Sequence, residues 1–246
     1  ALGADRCQIF TDVTGVYTAD PRVVTDARQL QVIGYEEMLE LANQGAQVMQ
    51  TRAVELGWVN GVTIEVLSSF VDQPGTQIKE DVHVEQRNKV RGLAADTKVA
   101  KVTMVAVPDR PGIARSVFDP LAAATINVDM IVQNISADGS FTDITFTVAR
   151  KDLRKALEVL NAVRSKVGFD ELAHSADVAK VSIVGIGMRS HAGVAAKMFR
   201  ALADKGINIQ AITTSEIKTS VLIDEAYTEL AVRALHTAYG LDAKVA

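Results

Sequence analysis

The sequence is poor in the features that mark several large classes of protein. Its 246 residues include a single cysteine, Cys7, so neither an internal disulfide framework nor a multi-cysteine metal site can form. The four histidines are scattered and have no cysteine beside them, and we predict no metal site. Apolar residues make up 48% of the chain, but no run approaches the roughly 18 residues of a membrane span. We therefore expect a protein that does not enter a membrane.

The sequence also lacks an excess of positive charge. Lysine and arginine number 26 against 30 aspartate and glutamate residues, which gives a formal net charge of -4. A basic face that neutralises many phosphates is not expected, so we predict no nucleic-acid partner. The chain begins with Ala1 instead of methionine and shows no signal peptide, so we expect a cytoplasmic protein whose sequence starts within a longer reading frame.

What the chain does contain is an internal repeat. The segment AKVTMVAV (100–107) is echoed by AKVSIVGI (179–186), at an offset of 79 residues. Farther along, INV (126–128) corresponds to INI (207–209), at an offset of 81 residues. One structural unit is therefore used twice, with a period of about 80 residues.

Each copy of the repeat reads as strand, helix, strand, strand, helix, strand. This βαββαβ order makes a ferredoxin-like fold, in which a four-stranded antiparallel sheet carries both helices on one face. We place the first copy at 96–175 and the second copy at 176–246, joined to the preceding chain by a linker or strand at 81–95. The second copy has only a short run for its last strand, and residues 88–95 are a candidate to replace it.

Residues 1–80, the amino-terminal segment, show a different pattern. We predict strands at 8–13 and 62–67, a long turn from 14 to 22, and helices at 35–42 and 46–56. Alternating strands and helices belong to an α/β layer. Because about 80 residues supply too few strands for a complete doubly wound sheet, we expect an exposed sheet edge and an unfilled core face.

Several motifs resemble those of a known family, in order, along essentially the whole chain. The run TDVTGVYTADPR (11–22) resembles the nucleotide-site signature of the aspartokinase branch of the amino-acid kinases. Supporting motifs follow in the same segment: YEEMLELA (35–42), RAVE (52–55), SSF (68–70) and PGT (74–76). Motifs of the first and second copies resemble the two ACT domains of these enzymes: PDRPG (108–112), NVDMIVQN (127–134), SH (190–191), NI (208–209) and TSE (214–216). The implied fold is a partial amino-acid kinase α/β segment followed by two ferredoxin-like α+β ACT domains.

The resemblance implies a part of an enzyme that uses ATP with Mg²⁺ to phosphorylate L-aspartate on its 4-carboxylate. It assigns the nucleotide contacts to Thr11, Asp12, Tyr17, Asp20 and Arg22. A Thr-Asp pair at a strand's carboxyl end fits the place where α/β sheets bind ligands. Read from the residues alone, Asp-Pro-Arg is more simply a capped turn, and Tyr17 a core aromatic.

The chain departs from the family's kinase site in two ways. Gln47 stands where the family usually has a lysine near the nucleotide phosphates. The glycine-rich strand with the catalytic lysine and the aspartate-binding residues precede everything in this sequence. Phosphoryl transfer depends on positioning and charge neutralisation, so we assign no catalytic residue and expect this chain to be inactive alone. A kinase-competent fragment is the alternative.

The resemblance also implies that lysine, threonine or both bind between ACT domains of different chains and inhibit the kinase. In the first copy, the helix that follows Asp109 can hold a carboxylate at its amino terminus. Asp129 can then bind the effector's ammonium, and Asn127 and Gln133 can bond its side chain. The remaining predicted effector contacts are Gly112, Ile113, Ala114, Val128, Ser190, His191, Asn208, Ile209, Ser215 and Glu216.

Simpler roles remain open for some of these residues. Asn127 and Asn208 can cap turns, and His191 fits a turn better than a metal site. Trp58 and Phe118 read as core, as do the six methionines.

We predict a regulatory, β-subunit-like part of an aspartokinase at the start of lysine, threonine and methionine biosynthesis. Its expected partners are amino acids, a second copy of itself through the ACT domains, and a longer catalytic chain of the α type. A stand-alone amino-acid-binding regulatory module is a further alternative. Ferredoxin-like sheets also bind RNA, but that use needs aromatic residues on the central strands, and 102–105 and 132–135 have none.

Overall fold

The structure is a computed structural model that describes residues 3–80, 89–136 and 139–242, with the backbone alone at 189 and 190. This part of the chain forms three four-stranded sheets. One sheet lies in the amino-terminal segment and one in each copy of the repeat, which confirms the predicted mixed α/β and α+β fold class.

The sheet of the amino-terminal segment combines parallel and antiparallel pairs. Its elements are β1 (Arg6–Thr11), β2 (Val32–Ile33), α1 (Tyr35–Asn43), α2 (Thr51–Val59), β3 (Thr63–Ser68) and β4 (Thr76–Ile78). The strand order is β1-β3-β4-β2, with β1 parallel and β4 antiparallel to β3. Ile33, Met38, Val54 and Val66 are completely buried in one core.

One edge and one face of this sheet are exposed, as predicted. Within the described residues β1 pairs only with β3, and Phe10 on β1 is 61% exposed. A groove of about 1160 Å³ runs beside it, lined in part by Phe70 and Val71. Trp58, which we predicted to be core, is 43% exposed and stacks on Tyr35 with 6.3 Å between ring centroids. Among the described residues, no element covers the sheet face that the groove follows.

The second helix was predicted to begin at residue 46 and instead begins at Thr51. The chain turns first, because Gly45 adopts φ +112° and lies against the backbone carbonyl of Ala95, where no side chain fits. The turn continues to Gln50, whose backbone is extended. The packing of a distant strand thus overrides the local helical pattern.

The first copy follows β5 (Gly92–Asp96) and has the predicted βαββαβ order. Its elements are β6 (Val99–Pro108), α3 (Ile113–Ala123), β7 (Val128–Ile135), β8 (Phe141–Ala149), α4 (Leu153–Ala162), α5 (Arg164–Val167) and β9 (Glu171–Ser175). The strand order is β7-β8-β6-β9, with every pair antiparallel. Phe118 packs edge-on against the buried Phe146 at 5.3 Å, so the core role predicted for it is confirmed.

The second copy repeats this fold with a borrowed strand. Its elements are β10 (Val178–Val184), α6 (Val194–Ala203), β11 (Ala211–Thr214), β12 (Lys218–Asp224) and α7 (Thr228–Ala238). The strand order is β11-β12-β10-β5, so β5 occupies the place that β9 holds in the first copy. This confirms that a strand just ahead of the first copy completes the second sheet, while residue 88 of the predicted range lies outside the described residues.

The two copies pack against each other about an approximate two-fold axis. Lys101 Nζ of the first copy donates to Gln210 Oε1 of the second at 2.6 Å, and Lys180 Nζ of the second donates to Asp129 Oδ2 of the first at 2.7 Å. Positions 101 and 180 are equivalent in the repeat, as are 129 and 210. A small apolar cluster seals the contact: Val99, Met130, Val178 and Leu222.

The amino-terminal segment packs on the second copy. Helix α1 lies on the face of the second sheet that its own helices leave open. Three polar residues at helical spacing, Glu37, Glu40 and Gln44, make the contacts from one side of α1. They bind the backbone N–H of Ile186 at 2.9 Å, the ammonium of Lys218 at 2.8 Å and the hydroxyl of Ser182 at 3.1 Å, respectively.

Candidate functional site

The predicted nucleotide residues begin where β1 ends. Thr11 is the last residue of β1, and its hydroxyl donates to Asp12 Oδ1 at 3.0 Å. Because β1 and β3 run parallel, their carboxyl ends lie at the same edge of the sheet, where Ser69 N–H donates to Thr11 carbonyl oxygen at 2.8 Å. Ligands of α/β sheets bind at such an edge. Asp12 is exposed there and free to face a ligand.

The other three predicted nucleotide residues lie on the long turn, residues 12–31, that connects β1 to β2. Asp20 accepts hydrogen bonds from the backbone N–H of Arg22 at 2.9 Å and from its guanidinium at 2.8 to 3.2 Å. The hydrogen bond from the Arg22 side chain, opposed by partial burial, lowers the pKa of Asp20. The Arg22 side chain is 86% exposed, so the rest of its guanidinium faces solvent.

Tyr17 is partly buried, and its hydroxyl lies 2.5 Å from the Thr14 hydroxyl. Four apolar residues of the long turn are buried, and two of them flank Tyr17 closely: Val16 and Ala19. The Asp20–Arg22 contacts form a capped turn, and that turn leaves both the Arg22 guanidinium and the Tyr17 ring accessible. The structural role and the ligand-binding role are therefore compatible at these residues.

Gln47 does not lie among these residues; it lines a separate cleft of about 810 Å³ between the amino-terminal segment and the first copy. Asn127, Val128 and Asp129 line the same cleft. The ammonium groups of two lysines there, Lys98 and Lys151, form no hydrogen bond or ion pair with a described residue. The same cleft is thus lined by Gln47 and by two lysines.

The predicted effector corner of the first copy lies between β6 and α3. Gly112 has φ +86°, a left-handed conformation that favours glycine, and open space surrounds its α-carbon. The Ile113 side chain is 4% exposed and belongs to the core, so only its backbone can serve a ligand. Asp109 is partly exposed and Ala114 exposed. Gln133 lies exposed on the edge strand β7, two residues before its end at this side of the sheet.

Asn127 and Asp129 lie at the other end of the first sheet. Asp129 and Lys101 both pair with Thr147, whereas Asp109 lies eight residues beyond Lys101. At about 3.3 Å per residue, the two ends are roughly 25 Å apart. The structure therefore does not bring Asp129 together with the α3 amino terminus of the same copy.

Asp129 has a partner within the chain. Burial opposes its ionisation, but the hydrogen bond and charge of Lys180 outweigh this effect and lower the pKa of Asp129. The Lys180 side chain is only 5% exposed, while that of Asp129 is 53% exposed. Sequence reasoning missed this pair. The available signal was a lysine at the same place in an otherwise apolar strand of both copies, positions 101 and 180.

The corner of the second copy has the same backbone geometry as the first. Gly193 has φ +86° and ψ 0°, identical to Gly112. Ser190 ends a 3₁₀ turn, and His191 Nδ1 donates to the carbonyl of Gly187 at 2.8 Å. The β11–β12 turn with Ser215 and Glu216 lies at this end of the sheet, because Val184 of β10 pairs with Lys218. Asn208 and Ile209 lie at the opposite end, beside Gln210.

The described residues contain no group of three or more histidine, cysteine, aspartate or glutamate side chains placed to hold a metal ion. Among the helices that the structure describes, none has the length and apolarity to cross a membrane.

Comparison with known proteins gives the same division of the chain. A model of the amino acid kinase family matches residues 1–68, and a model of the ACT domain matches 102–163 and 181–239. The aspartokinase of Pseudomonas aeruginosa is 54% identical over 245 residues, which cover 99% of this chain and 59% of that protein. The chain thus spans about three fifths of the length of these curated relatives.

Two solved structures are also similar. A chain in the crystal structure of aspartokinase alpha and beta subunits is 50% identical, with a TM-score of 0.58, and the match covers 61% of this chain and 99% of that one. Escherichia coli aspartokinase III in complex with lysine and aspartate, in the T-state, is 26% identical, with a TM-score of 0.75, and the match covers 96% of this chain and 52% of that one. This chain belongs to the aspartokinase family.

Proposed function

We propose that this chain is the regulatory part of an aspartokinase, which senses end-product amino acids and restrains the ATP-dependent 4-phosphorylation of L-aspartate. The observation that carries the proposal is that the segment matched by the amino acid kinase family model packs directly on the second of two ACT folds. A sensor and part of the site that it controls are therefore physically joined in one chain. We place its work in the cytoplasm, where these amino acids are made.

In the complete enzyme, Thr11, Asp12, Tyr17, Asp20 and Arg22 contribute to binding ATP, with Mg²⁺ supplied with the nucleotide. The rest of the amino-acid kinase domain would cover the 1160 Å³ groove beside β1 and extend the sheet at its free edge. This chain alone should show no turnover with ATP, Mg²⁺ and aspartate, because the other half of the charged site is elsewhere. Robust turnover would establish the kinase-competent alternative instead.

The role of the long turn is tested by Arg22→Ala in the complete enzyme. Arg22 can bind phosphate oxygens with its exposed guanidinium. We expect about a tenfold or greater rise in KM for ATP with an unchanged KM for aspartate. Arg154→Ala is the matched control, since Arg154 is also exposed and paired with a nearby carboxylate, Glu158, at 3.7 Å. Equal kinetics for the two variants would remove Arg22 from the nucleotide site.

We propose that lysine, threonine or both bind at the corners of the ACT pair. The α3 amino terminus with Gly112 and Ile113 binds the effector carboxylate, and Gln133 contacts its side chain. Asp129 and Asn127 lie too far from Gly112 in the same copy, so a site that joins them to a Gly112 corner needs the corner of a second chain. The lysine complex of E. coli aspartokinase III supports lysine as one effector.

Thermal unfolding of the chain with lysine, threonine and methionine identifies the effector. A ligand at a hundredfold excess over its Kd should stabilise the chain by about 2.7 kcal/mol. Gln133→Ala should reduce this shift, while Gln73→Ala, an exposed glutamine of the amino-terminal segment, should not. If none of the three amino acids raises Tm, the sensing role is wrong.

The surface of the first copy supports self-association. Ile131, Ile135 and Phe141 are 50%, 63% and 44% exposed on β7 and β8 at the edge of the first sheet. Exposed apolar edge strands pair readily with another chain. We expect a dimer in equilibrium sedimentation, weakened by Ile135→Glu but not by Val59→Glu on the amino-terminal segment. A longer catalytic chain of the α type is a further partner, in line with the alpha and beta subunits of the related structure.

A further inference from the structure

The long turn that carries Tyr17, Asp20 and Arg22 shares a hydrophobic core with the second copy. Ala19 and Val24 are 3% and 7% exposed, and they belong to the same cluster as residues of α7 and the strands of the second sheet. The long turn is therefore embedded in the second copy, and any movement of α7 must move it or expose apolar surface.

A buried polar contact lies at the centre of this interface. The Thr18 hydroxyl and His236 Nε2, on α7, are 2.9 Å apart, and the two residues are 2% and 1% exposed. The Thr18 hydroxyl also accepts the backbone N–H of Arg28 at 3.0 Å. Its own proton needs an acceptor, because a buried hydroxyl without a partner is costly. His236 Nε2 meets that need when the ring is neutral and its proton is on Nδ1.

Backbone contacts fix the long turn on both sides of this pair. Arg233 Nε on α7 donates to the Val23 carbonyl at 2.8 Å, and Arg28 Nε donates to the Leu241 carbonyl at 2.8 Å. The Thr18 carbonyl accepts the N–H of Leu93 on β5 at 2.8 Å. The middle of the turn, from 18 to 28, is thus held by anchors of the second copy or its borrowed strand, while Thr76 on β4 holds its flanks at Val16 and Leu30.

We infer that His236 is a positioning residue for the nucleotide: through Thr18 it fixes the long turn in the geometry that presents Tyr17, Asp20 and Arg22. This inference rests on the proposed nucleotide role of the turn and deepens it. The second copy then acts on the kinase through α7, since the residue that orders the turn belongs to the sensing domain. A change in the second copy that shifts α7 by even a fraction of a hydrogen-bond length alters the nucleotide site directly.

Steady-state kinetics of the complete enzyme test the inference. Thr18→Val removes the hydroxyl at nearly constant volume, and His236→Leu removes the acceptor. Each should raise KM for ATP about tenfold, the value of one buried hydrogen bond, and leave KM for aspartate and kcat unchanged. His236→Gln, whose amide oxygen can accept the same proton, should restore most of the affinity. Thr142→Val is the matched control, because Thr142 is 1% exposed and donates to a carbonyl in the first copy.

The outcomes separate this inference from the proposed function. If Arg22→Ala raises KM for ATP and the Thr18 and His236 variants match Thr142→Val, the positioning role is wrong and the nucleotide role stands. If Arg22→Ala has no effect, the nucleotide role itself fails. If the Thr18 and His236 variants lose their fold in general, kcat should fall and the KM values for ATP and aspartate should rise together. His236→Gln would then not restore the affinity for ATP, and that result also contradicts the inference.

Hydrogen exchange of the unmodified chain gives a test without substitutions. The amide of Thr18 donates to the Arg28 carbonyl, and the amide of Leu93 donates to the Thr18 carbonyl. Both amides should exchange together with the amides of α7 at low denaturant, because a shared core opens as one unit. If these amides instead exchange together with the amides of β1 and β3, and before those of α7, then the turn does not open with the second copy and the inference is wrong.

Discussion

Removing the charge of Asp129 should destabilise the contact between the two copies far more than removing the charge of Lys180. The reason is the unequal burial of the two side chains, 53% exposed for Asp129 and 5% for Lys180. In Asp129→Asn the ammonium of Lys180 stays buried without a counter-charge. In Lys180→Met the carboxylate left behind is half exposed and can be hydrated.

The structure allows the sizes of these effects to be estimated. A fully buried ion pair loses about 3–5 kcal/mol when one partner is removed, and the exposure of Asp129 reduces this to about 2–3 kcal/mol for Asp129→Asn. Lys180→Met should lower the free energy of unfolding by less than about 1 kcal/mol, because the methionine side chain replaces the long apolar stem of the lysine. The double variant should have nearly the same free energy of unfolding as Lys180→Met. The effects of the two single changes on stability are therefore strongly non-additive.

Urea unfolding measures these free energies, followed by far-UV circular dichroism and by the fluorescence of Trp58. Trp58 is the only tryptophan in the sequence and reports on the amino-terminal segment, so coincident transitions justify a single free energy. Lys101→Met is the matched control, since its partner Gln210 is uncharged, and it should change stability by less than about 0.5 kcal/mol. Equal costs for Asp129→Asn and Lys180→Met would refute the reasoning from burial.

Three further predictions concern stability. Burial lowers the pKa of His236 below the unfolded value of about 6.5, so folding favours the neutral ring. The free energy of unfolding should therefore fall as the pH drops from about 6.5 toward the folded pKa. In His236→Gln, the free energy from urea unfolding should no longer show this fall. Gly75→Ala places a Cβ on the carbonyl oxygen of Val66 and should cost about 1–3 kcal/mol, seen by Trp58 fluorescence; an unchanged midpoint would contradict it. Gln44→Leu removes one of the two hydrogen-bond partners of the buried Ser182 hydroxyl and leaves the Ser220 hydroxyl at 2.8 Å; it should lower the free energy of unfolding by about 0.5–1.5 kcal/mol, and by less in a Ser182→Ala background.

Much of the fold was predictable because the repeat exposes it. The strands at 100–107 and 179–186 are alike, so one reading of helices and strands served twice, and the shortage of residues after α7 led to the borrowed strand. The family motifs located the amino acid kinase segment, which the family model matches at residues 1–68. These features depend on local pattern, which the sequence shows directly.

The errors arose where distant packing decides the structure. Trp58 lies on α2, which buries Val54 and Gly57 on its inner side and leaves the tryptophan 43% exposed. The start of α2 depends on Gly45 meeting a strand fifty residues away. Asp129 was placed in one effector site with the corner at Asp109, but α3 carries the chain to the other end of the sheet before β7 begins. Lys180 was missed because its partner belongs to the other copy.

The two copies have the same fold and different surroundings, and this difference suggests how they divide the work. The first copy exposes an apolar edge strand and an open corner at Gly112, which suits it to receive a ligand and a partner chain. The second copy is covered on both faces by the amino-terminal segment: α1 lies on its open face through Glu37 and Gln44, and the long turn enters its core. Sheets and helices packed at crystal-like density move as units rather than deform. Under the proposed function, a ligand that shifts the first copy would act on the second through the Lys180–Asp129 contact, and the second copy would displace the segment proposed to bind the nucleotide.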